Sequence, residues 1–443
     1  MRRLFATALG LLILAGSADS APARANGVGP FDDVWVARKG EAYPGSGSSC
    51  ARPHAVADGV DDQSELNWAV QHLNDHGTLH LCAGTFHLTN PIGRQSPCAP
   101  GCYFALPTHL TISGAGMHKT ILDGGATYSD GVRTGPGSDI IWAFTDEEEL
   151  TLSDLTVQNA VEPNGNGAAV SSSAAVAIIR ARFYRNETAG EDSDLSGAAI
   201  DAPSIMIIDS IFAENTADGN GGAISSTHVE VSGSLFLGNS ANGLGGAIDA
   251  ASVVVTNSRF SGNDAEIGGA IKATTLTVTG STFTNNSADI GGAIEVSNMG
   301  PTITTVTNST FTSNGADYGG AIYAPDPTVT NSTFTSNSAS WEGGAIWAVT
   351  GTVGRSRFTR NTAGQHGGAI FFYSPAPTDL RLMRRNIFSR NTAAAGGAIT
   401  FGPCGTPSRS EAARVQRANR FSGNRTTEQR RTNNIERWEG GCG

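Results

Sequence analysis

Lysine is nearly missing from this chain: Lys39, Lys119 and Lys272 stand against 26 arginines. That imbalance says more about genome composition than about chemistry, but it leaves Lys272 as the one lysine among the regular repeats. Cysteine is missing from the whole middle of the chain. Cys50, Cys82, Cys98 and Cys102 come before that stretch, and Cys404 and Cys442 come after it. No two cysteines have the two-residue spacing of a zinc ribbon, so disulfides in an oxidising compartment are the expectation. Cys98–Cys102 would close a tight loop, and Cys50–Cys82 and Cys404–Cys442 would clamp the two ends. Beyond Leu4–Ala15 there is no apolar run long enough to cross a membrane, which excludes a helical span in the mature chain. Met1-Arg2-Arg3, that apolar run and the small residues up to Ala25 read as a signal peptide over residues 1–25, cleaved after Ala21 or Ala25. The mature protein is therefore expected to be secreted or held at the cell surface. A net charge of −11 argues against nucleic acid as a partner. No Ser-His-Asp signature, zinc motif or phosphate loop is present.

What is abundant is one tetrapeptide. Gly-Gly-Ala-Ile begins at Gly221, Gly245, Gly268, Gly291, Gly319, Gly343, Gly367 and Gly396, in steps of 23 to 29 residues. Phe-x-x-Asn precedes each copy, as in Phe212…Asn215, Phe260…Asn263 and Phe388…Asn391. A fixed period in this range means one supersecondary unit stacked on copies of itself. Leu276 and Val278, followed by Ser281 and Phe283, alternate like a strand with one offset, and a second strand starts at Gly-Gly-Ala-Ile. Strands this short suit a coil of two or three, with successive coils paired in parallel about 4.8 Å apart. Phe then stacks on Phe, Ile on Ile, and the Asn residues form a hydrogen-bonded ladder. These repeated residues are scaffold, so function must lie at positions that vary between rungs.

Gly-Gly-Ala-Ile paired with Phe-x-x-Asn closely resembles the repeat of the polymorphic outer-membrane proteins, over roughly residues 183–400. The resemblance implies an all-β fold, a right-handed parallel β-helix of the pectin-lyase-like superfamily. Gly167-Ala-Ala-Val170, Gly197-Ala-Ala-Ile200 and Phe421-Ser-Gly-Asn424 read as degenerate flanking rungs. Residues 57–62 and 77–86 resemble the N-terminal start of pectate-lyase-like proteins, where Asp58, Asp61 and Asp62 would be structural. Between them Leu66, Ala69, Val70 and Leu73 have helical spacing and predict a short amphipathic helix capping the first coil. The expected organisation is a signal peptide over 1–25, a cap and first rungs over 26–125, the β-helix over 126–403 and an Arg-rich tail over 404–443. That tail is read as a solvated last turn folded back by Cys442, or as an electrostatic attachment to acidic glycan or lipid. No C-terminal stretch has the length of that family's translocating barrel, so self-display through an outer membrane is not expected.

Because the Ile of each motif points inward, the residue after it points out: Ser225, Asp249, Lys272, Glu295, Tyr323, Trp347, Phe371 and Thr400. They form a stripe that is charged in its first half and aromatic in its second. Tyr323, Trp347 and Phe371, widened by Tyr318 and Trp341, are the candidate binding residues, since exposed rings are platforms for sugars and proteins. A covering loop is the alternative. Glu266, Asp289 and Asp317 stand two residues before successive glycine pairs and are candidate ligands for calcium, or simply surface turn acids. The paired aspartates, His-Gly and Arg-x-Lys of polygalacturonase-like enzymes are absent, so no residue is assigned as catalytic and no other cofactor is expected. The reading is a non-enzymatic, monomeric surface protein that binds a polysaccharide or a cell-surface protein. The alternative is a polysaccharide lyase or glycoside hydrolase.

Overall fold

The computed structural model describes residues 31–39, 49–93, 106–129, 132–133, 135, 137–143, 149–163, 166–190, 196–297, 304–374, 383–402, 407–427 and 434–437. The expected signal peptide, Cys98, Cys102, Cys404 and Cys442 lie outside these residues.

Left-handed corners organise each rung. The residue before the Ser that recurs two positions ahead of the Phe (Ser258, Ser281, Ser309) and the residue before the Asn of Phe-x-x-Asn both have positive φ, as at Asn257, Gly280, Asn285 and Asn308. Each corner ends one strand and starts the next. A rung is thus a nine-residue strand such as Ile271–Thr279, a three-residue strand such as Thr282–Thr284, and a short third segment after the Asn, such as Ser240–Ala241. This corrects the expected grouping. Leu276 and Val278 continue the Gly-Gly-Ala-Ile strand, and the corner at Gly280 (φ +62°) separates them from Phe283. Among the described residues the strands of successive rungs pair in parallel, for example Ile248↔Ile271↔Ile294 and Phe260↔Phe283↔Phe311, with register shifts at Phe31/Asp33 and at Ala316/Tyr318.

Three stacks hold the coil together. The Phe rings from Phe183 to Phe421 form one column, with centroids 4.6 to 5.0 Å apart and planes within 10° of parallel. From Phe183 to Phe388 these rings are fully buried. The Asn ladder is present as expected: Asn263 Nδ2 donates to Asn286 Oδ1 at 2.9 Å and to the Phe236 carbonyl at 3.1 Å. The same contacts repeat down to Asn424. A second ladder runs through the serines. The Ser258 backbone N–H donates to Ser281 Oγ at 3.1 Å, and Ser281 Oγ donates to the Thr279 carbonyl at 3.0 Å. Asn386 and Asn419 take over this role in the last rungs. Both ladders give buried polar groups partners at every level, which a buried bend requires.

The glycine pair is sterically dictated. Gly268 has φ +68°, and a Cβ on Gly269 would lie 2.3 Å from the backbone oxygens of both Gly292 and Ser287.

At the N-terminal end the helix Gln63–Gln71 buries Leu66, Ala69 and Val70, as expected for a cap. Asp62 is structural: its carboxylate accepts from the N–H groups of Gly59 and His87. Cys50 and Cys82 form the expected disulfide. The C-terminal end departs from the expected decaying tail. A helix over Arg409–Ala418, capped by a reciprocal Ser408/Glu411 box, buries Val415. After it comes the flanking rung expected at Phe421-Ser-Gly-Asn424, in which Arg420–Ser422 pairs with Ile387–Ser389 and Ile435–Arg437 pairs with Ile399–Phe401.

Candidate functional site

The outward stripe forms as the repeat implies, and it is longer than the motif shows. Register pairs Ser225↔Asp249↔Lys272↔Glu295↔Tyr323↔Trp347↔Phe371↔Thr400 without a break. Upstream it continues through Asp201 and Ser171 to Trp142, and downstream it ends at Glu436. Asp201 follows the Ile of the degenerate Gly197-Ala-Ala-Ile200 rung, so the same offset could have located it. Glu436 has no glycine motif before it and left no such signal.

The charged half is compact. Lys272 Nζ lies 3.3 Å from Asp249 Oδ1. Glu295, one rung further on, is buried. That burial pushes its carboxyl up to about 7 against the pull of Lys272 and Ser297, with the Asp249 charge adding to the rise. Burial likewise raises Asp249, which Lys272 partly offsets, and Asp201, which hydrogen bonds from Asn166 and Ser225 partly offset. Asp201 lines a shallow depression of about 290 Å³ with Ser172, Ser225, Ser226 and Thr227.

In the aromatic half, Tyr323 and Trp347 stack at 4.2 Å with planes 8° apart, and both remain partly exposed. Burial raises the Tyr323 phenol, and the charges of Glu295, Tyr318 and Glu342 add to this. Trp347 Nε1 donates to Glu342 Oε2 at 3.1 Å, which fixes the indole. Glu342 is itself raised by burial, against that hydrogen bond and His366. Tyr318 stands one column aside, paired with Glu342, and Trp341 is 44% exposed. Phe371 does not extend the accessible ridge. It is 1% exposed, tucked where Gly402 has no side chain and beside His366. Tyr373, 39% exposed and 6.2 Å from Trp347, presents a ring in its place. Tyr373 and Glu342 fall outside the repeat's outward offset, so the sequence did not single them out.

Glu266, Asp289 and Asp317 stack on successive rungs, with the Asp289 N–H on the Glu266 carbonyl and the Asp317 N–H on the Asp289 carbonyl. Glu266 and Asp289 are exposed. Among the described residues no group of three His, Cys, Asp or Glu side chains is gathered closely enough to hold a metal ion. Among those residues, too, no helix is long and apolar enough to cross a membrane.

Stacked parallel rungs with one inward Phe and one inward Ile per turn define a parallel β-helix, and residues 140–304 match the family described as right handed beta helix region. Residues 308–325 and 331–349 match the Chlamydia polymorphic membrane protein repeat. The chain is a right-handed β-helix protein carrying repeats of that type. No curated protein matches it. Among solved structures it is similar to the catalytic unit of a thermostable GH87 α-1,3-glucanase from Streptomyces thermodiastaticus, at 16% identity and a TM-score of 0.39, over 87% of this chain and 67% of that one. It is also similar to the A-module of the mannuronan C-5 epimerase AlgE4 from Azotobacter vinelandii, at 14% identity and a TM-score of 0.33, over 83% and 93%. At such scores these likenesses say nothing about activity.

Proposed function

We propose that this is an exported surface protein that binds a polysaccharide along the outward stripe without cleaving it. The stacked Tyr323–Trp347 pair carries the reading: two parallel rings on adjacent rungs, with the indole fixed by Glu342 and the exposed Trp341 and Tyr373 nearby. Aromatic faces held rigid in this way bind sugar rings at little conformational cost. Beside them the partly exposed Asp249 and Lys272 offer polar groups one rung apart, suited to a chain lying along the helix axis. The repeat type supports placement at the cell surface. A second reading, a polysaccharide lyase or glycoside hydrolase, is favoured by Glu295, whose proton affinity near neutrality suits general acid or base work. The test is a glycan array run beside assays for reducing ends and unsaturated products. Binding without product supports the first reading, and product that disappears in Glu295→Gln supports the second.

A further inference from the structure

The chain's charge is divided along its length. Residues 186–350 hold 17 acidic residues against Arg259 and Lys272, whereas residues 351–443 hold 15 arginines against five acidic residues. Among the described residues of the basic end, arginines recur at fixed places in the rung. Arg355 and Arg385 occupy the corner before the short Phe strand on successive rungs, and Arg360 and Arg390 occupy the corner after it. Arg357 and Arg420 stand on the strands between. All six are exposed.

Arg355, Arg360, Arg385 and Arg390 have φ between +53° and +61°, the conformation common to these corners, which Arg180, Arg185, Asp209 and Glu214 share upstream and which Gly233, Gly238, Gly262, Gly280, Asn257 or Asn285 fill on other rungs. Glycine and asparagine adopt that region readily, whereas a long side chain is strained there. What sets these four arginines apart is pairing. Upstream, at the same two corners, Arg180 lies 2.6 Å from Asp154 and Arg185 lies 2.8 Å from Glu214. Among the described residues no acidic partner reaches Arg355, Arg360, Arg385 or Arg390. Arg355, Arg385 and the neighbouring Arg384 instead line a shallow depression of about 240 Å³ with Thr330, Thr352 and Gly354. Cations in two rows, one rung apart, with no acidic partner among the described residues, are arranged for negative charge from outside the rung.

We propose that this face, on a different sheet from the aromatic stripe, binds a linear acidic polysaccharide. Guanidinium groups pair with carboxylate or sulfate in a planar fork. Two rows parallel to the helix axis match a chain that carries charge at regular intervals. Exposed aromatic rings for stacking bases and an apolar rim for insertion into lipid are both missing among the described residues of this face, which favours glycan over nucleic acid or membrane.

The experiment measures binding of the full-length protein to polygalacturonate and to heparin, which separate carboxylate from sulfate. Neutral dextran and phosphatidylglycerol vesicles serve as the other arms, and the salt concentration is varied. Affinity for at least one acidic glycan should fall about tenfold or more between about 50 and about 200 mM salt. The combined variant Arg355→Asn, Arg360→Asn, Arg385→Asn and Arg390→Asn should lose at least about tenfold with Tm unchanged or raised, because Asn relieves the corners. Arg357→Gln with Arg384→Gln, which leaves the corners untouched, should lose about threefold or more. Arg180→Asn with Arg185→Asn should bind as the parent does. Retained affinity in both C-terminal variants, binding to vesicles but to neither glycan, or salt-sensitive self-association without glycan binding would each overturn the proposal.

Discussion

Phe283 shows what one residue does in a stack of identical levels. Its ring lies 4.9 Å from that of Phe260 and 4.8 Å from that of Phe311, so truncation removes two ring contacts and opens a void between rungs. Phe283→Ala is expected to cost roughly 3–5 kcal/mol in chemical denaturation, and a loss below about 1 kcal/mol would contradict the column. Asn286→Ala should cost about 1–3 kcal/mol by a different route, since it removes the acceptor for Asn263 while leaving that side chain buried. Glu295 makes stability depend on pH. It titrates near 4.5 when unfolded and at about 7 when folded, so between those values the folded chain holds the extra proton. Stability therefore falls as pH rises through that window, and the penalty is complete above it. Glu295→Gln should flatten this part of the profile and stabilise the protein by roughly 1–3 kcal/mol at about pH 8. Asp249 shifts in the same direction and its charge acts on Glu295, so the transition measured belongs to that pair. Identical pH profiles for parent and variant would show that the Glu295 carboxyl is not held as described.

At the scale of elements, much was legible because a parallel stack repeats its constraints. The Phe column, the Asn ladder, the inward Ile and the outward stripe all follow from two motifs at nearly constant spacing. The corners were legible only as an offset. Left-handed φ is carried by Gly, Asn, Ser, Glu, Asp and Arg alike, so no single residue type marks the position, and the offset between Val278 and Phe283 reads as a bend within one strand and not as the end of the Gly-Gly-Ala-Ile strand. The Ser ladder was visible as a recurring residue but not as a hydrogen-bond chain, because a serine at a bend also suits a solvated turn. Phe371 shows the limit at the site. The offset gave its direction correctly, but its burial depends on Gly402, a rung away, which no local pattern encodes. The helix Arg409–Ala418 replaces a strand in the last rung and hides the register that Phe421 and Asn424 still keep. At the other end the Cys50–Cys82 bridge closes a loop of sequence separation 32 beneath the N-terminal cap. Reduction should lower stability by about 3–4 kcal/mol and expose the cap to protease before the central rungs. Simultaneous cleavage of cap and rungs would argue against this order.

For the molecule as a whole, a repetitive scaffold carries function only where its rungs differ, and two faces differ. One is the stripe from Asp201 to Trp347, and the other is the arginine face of the last rungs. On the proposed reading the Tyr323–Trp347 stack is a binding surface and not part of the core. Its most direct test is the affinity of a Tyr323→Ala, Trp347→Ala double variant for the glycan found on the array, measured beside its Tm. Partly exposed rings on the outside of the sheet stabilise the core weakly, so affinity should fall by about tenfold or more while the Tm shifts by only a few degrees. Unchanged affinity, or a collapse of Tm that accounts for the loss, would contradict the claim.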